Sequence, residues 1–308
     1  MLTIGRVAVA SLALCAALAV SAPRTAGAQT RSRAEWIALR TTGFAVPAGQ
    51  SAAALLLEMN PLLASTDPVL RDDVAFSAAE KWIVRDKVVA PDDLRRLVAQ
   101  WSANLDDGLG GSGDDRVFKR SFSALSLSLI AAREVATPFL TADEAQRLFD
   151  RVLDYFQRER DLRGFDAERG WMHSVAHTAD AFKFLARGTH WAPANLPRLL
   201  DAVRAKIGSH PAVFAWGEND RVALALHAAV RRPDADSSVV TTWLARWEDD
   251  HKALWATGPQ IDPARFVPLE NAKQVLRSLH AAFAMDRTPT TQGDAVRTAV
   301  LVALARMR

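Results

Sequence analysis

Apolar residues recur with a helical period along almost the whole chain. From residue 141 to 160 they fall at the i, i+3, i+4 and i+7 positions of one amphipathic face. Thr141 and Glu144 form a capping-box pair at the start of this segment. Similar apolar stripes predict three or four helices between residues 32 and 84. Further stripes predict helices over Asp92–Leu105, Asp115–Ala136, Trp171–Arg187, Asn195–Ile207, Asp220–Val230, Ser237–Trp255, Pro263–Met285 and Asp294–Met307.

The absence of any alternating apolar segment of useful length, together with a single tyrosine, predicts an all-α fold. About twelve helices with short, proline-punctuated connections indicate an irregular α-solenoid of stacked antiparallel helical hairpins. A closed α/α toroid is the alternative. No long linker rich in Pro, Gly or Ser divides the chain, so residues 29–308 are expected to form a single all-helical domain.

The first 28 residues have the pattern of a secretory signal peptide. Arg6 precedes an apolar run over 7–20, and the small triplet Ala26-Gly27-Ala28 follows. The run is shorter than the roughly 20 residues of a spanning helix, which disfavours the alternative of an uncleaved anchor. We therefore expect an exported protein, periplasmic or secreted, with no stable membrane span after cleavage. The only cysteine, Cys15, lies in the same segment.

Composition excludes several classes of protein. With 49% hydrophobic and 24% charged residues, the chain is neither disordered nor a polytopic membrane protein. The formal net charge of +3 includes Arg6 and Arg24. Without these two residues, 36 basic side chains face 35 acidic ones. Such a balance gives no electrostatic footprint for nucleic acid, and nucleic-acid binding is not expected.

Two stretches resemble a bacterial family, the domain of unknown function 2785. The first is ERDLRGF at 159–165 followed by RGWMHSVAHTAD at 169–180, and the second is VFKRSFS at 117–123. They are similar to that family's "E-x-D-x-R-G, then G-W-x-H-x-x-A-H-x-x-D" and "V-F-x-R-S-F-S" segments. The resemblance implies a helical fold over most of the mature chain and no established activity. It makes the matched residues candidates for a shared site.

Two histidines and an aspartate in the first stretch are spaced as one face of a helix. His173, His177 and Asp180 occupy positions i, i+4 and i+7, which point in nearly the same direction. Two imidazoles at this spacing can bind a divalent metal such as zinc, and Asp180 could ligate it or orient a histidine. Without a metal, Asp180 could hold one of the histidines in a single tautomer, and that histidine could then transfer a proton. Additional ligands would come from Glu159, Asp161, Glu218 or Asp220.

A structural role for the same residues is the simpler interpretation. His–Asp–Arg networks often tie helices together, and Asp180 is expected to pair with Arg163, Arg169 or Arg187. Trp171 falls on the opposite arc of the predicted helix, which faces the core. This arrangement leaves the two histidines on a second face that lines a groove.

Arg120 and Ser121 lie in the first third of the helix predicted over 115–136. Arg120 is expected to bridge to Glu159 or Asp161, and Ser121 to pack, because no nucleophile-elbow motif surrounds that serine. The glycine-rich segment 108–113 matches G-x-G-x-x-G, yet it follows a helix and precedes two aspartates. We interpret it as a loop and not as a nucleotide-binding turn.

Three functions remain open from the sequence. The favoured one is a binding or scaffold module of the cell envelope, whose groove near Trp171–Asp180 takes a peptide, a glycan or a protein partner. The first alternative is a metal-dependent hydrolase with a His173, His177 and Asp180 site. The weaker alternative is a glycan-cleaving α/α toroid, suggested by the nine tryptophans. Most of those tryptophans fall on apolar stripes and are expected in the core.

Overall fold

Helices dominate the computed structural model, which describes residues 31–256, 258 and 260–308. A 3-10 turn over Asn60–Ala64 and two π-helical segments, Val69–Phe76 and Glu80–Arg85, accompany the α-helices near the N-terminus. The α-helices of the described residues are Arg33–Thr41 (α1), Ala52–Glu58 (α2), Ser77–Ala79 (α3), Pro91–Asn104 (α4), Arg116–Ala136 (α5), Ala142–Arg158 (α6), Ser174–Leu185 (α7), Asn195–Gly208 (α8), Glu218–Val230 (α9), Ser237–Trp255 (α10), Pro263–Ala284 (α11) and Thr291–Arg306 (α12).

The helices from α4 onward pack in two rows. Helices α5, α7, α9 and α11 lie side by side in one row, while α4, α6, α8, α10 and α12 form the other. Extensive packing joins elements that are close in chain order, and residues 32–308 form one compact unit. Such packing is the arrangement of an irregular solenoid, and the all-α prediction is confirmed.

Helix α6 shows how local sequence sets a helix boundary. The Thr141 hydroxyl accepts a hydrogen bond from the Glu144 backbone N–H at 3.2 Å, and the Glu144 carboxylate accepts one from the Thr141 N–H at 2.8 Å. This capping box starts the helix where the sequence predicted it. The apolar face then packs into the core through Leu148, Phe149, Val152, Leu153 and Phe156.

Helix α7 begins three residues later than predicted. Gly170 (φ +78°) and His173 (φ +48°) adopt left-handed backbone conformations that a helix cannot contain. Residues 165–166 and 170–171 instead form a short antiparallel strand pair, β1 and β2, in which Phe165 faces Trp171. Trp171 is therefore 37% exposed, and its predicted place in the helical core is wrong.

The membrane-related predictions concern different parts of the chain. The proposed signal peptide, residues 1–28, lies outside the described residues. Within the part of the chain that the structure describes, none of the helices is both long and apolar enough to cross a membrane.

Candidate ligand site

A buried ion pair anchors the segment between α6 and β1. The Arg120 guanidinium donates two hydrogen bonds to the Glu159 carboxylate, at 2.6 and 3.0 Å, and both side chains are buried. Burial lowers the pKa of Arg120, but the hydrogen bonds and charge of Glu159 outweigh it, so the net shift is upward. Arg120 also donates to the Asp107 carbonyl. The expected bridge to Glu159 is present, and it holds the segment against α5.

Asp161 and Arg163 connect the same segment to the glycine-rich loop. Arg163 donates to both carboxylate oxygens of Asp161, at 2.8 and 2.6 Å, and to the Asp114 carbonyl. The Gly113 N–H also donates to Asp161, at 2.9 Å. A carboxylate held by this many donors is fixed in position. These two residues therefore set the conformation of the backbone that leads into the strand pair.

Ser121 and His177 lie in hydrogen-bond contact, although they are far apart in the sequence. The Ser121 Oγ is 2.7 Å from His177 Nδ1 and is also bonded to the Met172 carbonyl. A carbonyl can only accept, so we infer that the Ser121 hydroxyl donates to Met172 and that His177 Nδ1–H donates to Ser121. In this arrangement the serine proton is directed away from the imidazole. The contact thus ties α5 to α7 without activating the serine.

Burial affects the charge state of His177. Its pKa lies well below the usual 6.5 because burial disfavours the charged imidazolium, and nearby His173 acts in the same direction. The unfolded chain takes up this proton near pH 6.5 whereas the folded chain does not. The free energy of unfolding therefore falls as pH falls below about 6.5.

We accordingly predict that the His177 imidazole in the folded protein titrates well below pH 6.5, and that its neutral form carries the proton on Nδ1. The measurement is ¹⁵N NMR of the imidazole nitrogens between pH 7 and 5, assigned with a His177→Gln variant. An imidazole that titrates near 6.5 in the folded state would contradict the buried, hydrogen-bonded geometry. The variant should also lose part of the acid sensitivity of the melting temperature.

His173 lies beside Glu218 at the start of α9. The His173 Nε2 is buried without a hydrogen-bond partner among the described residues, and it is 4.0 Å from Glu218 Oε1. The other Glu218 oxygen accepts from the Trp216 N–H at 2.9 Å. Burial lowers the pKa of His173, although the Glu218 charge opposes the shift. A neutral imidazole with spare hydrogen-bonding capacity thus lies next to a carboxylate.

Asp180 has different partners from those predicted. Its carboxylate contacts Lys183 at 2.6 Å and Arg221 of α9, not Arg163, Arg169 or Arg187. The prediction of an arginine partner therefore names the wrong residues, because α9 is the neighbour of α7 in the row and presents Arg221 to it. Asp180 is an inter-helix tie in this structure.

A metal-binding role for His173, His177 and Asp180 stays a prediction. Within the described residues, no three His, Cys, Asp or Glu side chains are grouped to hold one ion. The role requires near-stoichiometric zinc in protein purified without a His-tag, and its loss in a His173→Ala/His177→Ala double variant. Elemental mass spectrometry measures both, and a metal-free wild type would contradict the role.

Three large aromatic side chains are exposed together next to His173. Phe165 and Trp171 have ring centroids 4.7 Å apart, and Trp216 lies 5.5 Å from Phe165 and 6.2 Å from Trp171. Their exposed fractions are 39%, 37% and 47%. Trp171 also stacks on the His173 ring at 4.8 Å. We call Phe165, Trp171 and Trp216 the aromatic cluster, and note that grouped exposed apolar surface marks interaction sites.

A cleft of about 520 Å³ adjoins the aromatic cluster. Trp216 and Gly164 form part of its wall, with the polar side chains of Asp161, Arg163 and Glu218 and the loop from His210. The His210 Nε2 is buried and has no hydrogen-bond partner in the described residues. This volume falls within the range of small-molecule sites, which combine apolar walls with a few polar groups.

The sequence pattern did not single out Trp216 or Phe165. Trp216 sits in a loop between Phe214 and Gly217, outside every helical stripe. A tryptophan that lies outside the periodic apolar positions is not needed for core packing, which indicates a role at the surface. This signal could have been read from the sequence. Six of the nine tryptophans are buried as expected, namely Trp36, Trp82, Trp101, Trp191, Trp243 and Trp247.

The chain is similar in sequence to one known family. The profile of one family, described as a protein of unknown function (DUF2785), matches residues 105–281. This range contains the aromatic cluster, the cleft and every candidate residue described above. Neither the curated proteins nor the solved structures compared with the chain gave a significant match.

Proposed function

The chain belongs to the DUF2785 family of proteins of unknown function, and from its geometry we propose that it is a carbohydrate-binding module. The aromatic cluster beside the 520 Å³ cleft is the observation that carries this proposal. In a fold that buries six of nine tryptophans, two of the three exposed ones contact each other and a phenylalanine. Their grouping requires an explanation other than core packing.

The chemistry of the cleft suits a sugar ring. Flat indole and phenyl faces pack against the apolar C–H faces of a pyranose, while hydroxyl groups need hydrogen-bond partners at the edge. Such partners are present in the Arg163 guanidinium and the Glu218 carboxylate, which both line the cleft.

Binding is favoured over cleavage because, of the two carboxylates that line the cleft, Asp161 has both oxygens bound to Arg163. Glu218 accepts a hydrogen bond from the Trp216 N–H through one oxygen, which leaves the other for a ligand hydroxyl. A glycan-cleaving reaction needs one free carboxyl to donate a proton and a second to act as nucleophile or base. The proposed module accordingly binds oligosaccharides without releasing reducing ends from them.

The experiment is isothermal titration calorimetry with six-unit oligosaccharides of β-1,4-linked glucose and of β-1,4-linked N-acetylglucosamine. We expect saturable binding of at least one oligosaccharide. The Trp216→Ala variant should weaken it about tenfold or more, since a central aromatic contact commonly contributes at least that factor. A titration with an unstructured peptide of similar length tests the peptide alternative.

Trp255 provides a matched control. It is 47% exposed, as Trp216 is, but it lies on α10 and pairs with His251. Trp255→Ala should leave the affinity unchanged. Equal losses in the two variants, no binding by the wild type, or binding of the peptide alone would each overturn the proposal.

We also propose that the protein acts outside the cytoplasm, in the cell envelope. The signal-peptide pattern of residues 1–28 supports this location, and an extracytoplasmic module would meet envelope glycans. N-terminal sequencing of the protein recovered from the envelope fraction of its host should give Gln29 as the first residue. A chain that begins at residue 1 in the cytoplasmic fraction would contradict the location.

A further inference from the structure

A second cleft, of about 770 Å³, is rich in arginine. It follows α9 from Asp220 in the first turn to Arg231 just past the helix end, and it lies beside the ends of α7 and α11. Four arginines line it, namely Arg187, Arg231, Arg277 and Arg287, together with two aspartates, Asp220 and Asp286. We call this the arginine cleft. It shares no lining residue with the cleft beside the aromatic cluster.

The two aspartates neutralise only part of this positive charge, since four arginines and two aspartates line the cleft. Asp286 contacts Arg231 at 2.8 Å and His227 at 3.4 Å. Asp220 accepts hydrogen bonds from Asn219 and from the Ser278 hydroxyl, at 3.0 and 2.6 Å.

Three arginines thus remain without a carboxylate partner among the described residues. They are Arg187, Arg277 and Arg287, and within the part of the chain that the structure describes no carboxylate lies at ion-pair distance from any of them. Most other arginines in the described part of the chain do have such a partner, which sets this group apart.

Grouped guanidinium groups repel one another unless an anion lies between them. Partial desolvation and the Arg231 charge both lower the pKa of Arg187, as expected for cations held close together. Helix C-termini attract cations and account for part of the arrangement. This attraction does not explain Arg277, which lies two turns before the end of α11.

We propose that the arginine cleft binds an oxyanion with two or more negative charges, such as a phosphate or sulfate group. Arg187, Arg277 and Arg287 supply the free guanidinium donors, and Arg231 adds charge while it pairs with Asp286. Arginine is suited to this task because its parallel N–H groups match two oxygens of such an anion. The site is independent of carbohydrate binding at the aromatic cluster.

Isothermal titration calorimetry with inorganic phosphate and with inorganic sulfate, at fixed ionic strength, tests the proposal. We expect one saturable site for at least one of the two anions, and the comparison identifies which. Arg187→Gln and Arg277→Gln should each weaken binding about tenfold, as expected when a charged hydrogen bond is lost. Both side chains are exposed, so the variants should melt at the wild-type temperature.

Arg265→Gln is the control, because Arg265 is exposed near the start of α11 and does not line the cleft. It should leave the affinity unchanged at constant ionic strength. The absence of saturable binding for both anions would overturn the proposal. So would equal weakening by Arg265→Gln, since that result indicates a diffuse charge effect and not a site.

Discussion

Replacing Arg120 by leucine is expected to lower the free energy of unfolding by about 3–5 kcal/mol, the usual cost of breaking a buried ion pair. The change leaves the Glu159 carboxylate buried and without its cationic partner. Glu159 also accepts hydrogen bonds from the backbone N–H groups of Arg160 and Asp161. Chemical denaturation followed by circular dichroism measures the loss.

A matched surface pair on the same helix serves as the control. Arg116 pairs with Asp114, but both side chains are largely exposed. Exposed pairs contribute little because water and salt screen them. Arg116→Leu should therefore leave the denaturation midpoint nearly unchanged. If the two leucine variants proved equally stable, the Arg120–Glu159 pair would not be the anchor described here.

Should Arg120→Leu fail to fold, Arg120→Lys provides a second test. Lysine keeps the positive charge but cannot donate two parallel hydrogen bonds to Glu159. An intermediate loss of stability is expected, smaller than that of the leucine variant. Wild-type stability in Arg120→Lys would show that the paired geometry is unimportant and that charge alone suffices.

Gly164→Ala is expected to weaken ligand binding as much as Trp216→Ala does, about tenfold or more, with a much smaller effect on folding. A Cβ atom at this position would lie 2.1 Å from Cδ1 and 2.6 Å from Cγ of Trp216, so the indole must move. Because Trp216 is half exposed, its ring can swing out at a cost of about 1–3 kcal/mol. The displaced ring then no longer contacts Phe165, and the aromatic cluster is incomplete.

Affinity for the oligosaccharide identified by calorimetry should fall in Gly164→Ala to the level of Trp216→Ala. The Trp216 indole N–H signal in an NMR spectrum should also shift, which reports ring movement without any ligand. Gly208→Ala is the control, since a Cβ there meets no atom within 4 Å. Wild-type affinity in Gly164→Ala with an unmoved indole signal would contradict the packing described.

Periodicity was enough to predict most of the fold. The stripe over residues 141–160 and its capping pair located α6, and Ser237–Trp255 was predicted with the boundaries observed. These helices are amphipathic and have clear start signals, so local sequence dominates. The prediction failed at 171–173, where left-handed Gly170 begins β2 and left-handed His173 immediately precedes α7. An apolar stripe cannot report a backbone conformation that tertiary contacts impose.

The candidate site could be predicted in part. The bridge between Arg120 and Glu159 was expected from charge complementarity, and it is present. The contact between Ser121 and His177 and the grouping of Trp216 with Trp171 join residues that are 45 or more positions apart. Such contacts depend on how α5, α7 and α9 lie in the row, and the spacing of one segment does not encode that.

Saturation-transfer difference NMR tests the central claim, that the aromatic cluster binds a sugar ring, most directly. Irradiation of the indole protons should transfer magnetisation to the ring C–H protons of the bound oligosaccharide in the wild type. The same transfer is expected in Trp255→Ala, and it should be much weaker in Trp216→Ala at the same ligand concentration. Equal transfer in all three proteins would place the ligand elsewhere and contradict the proposed function.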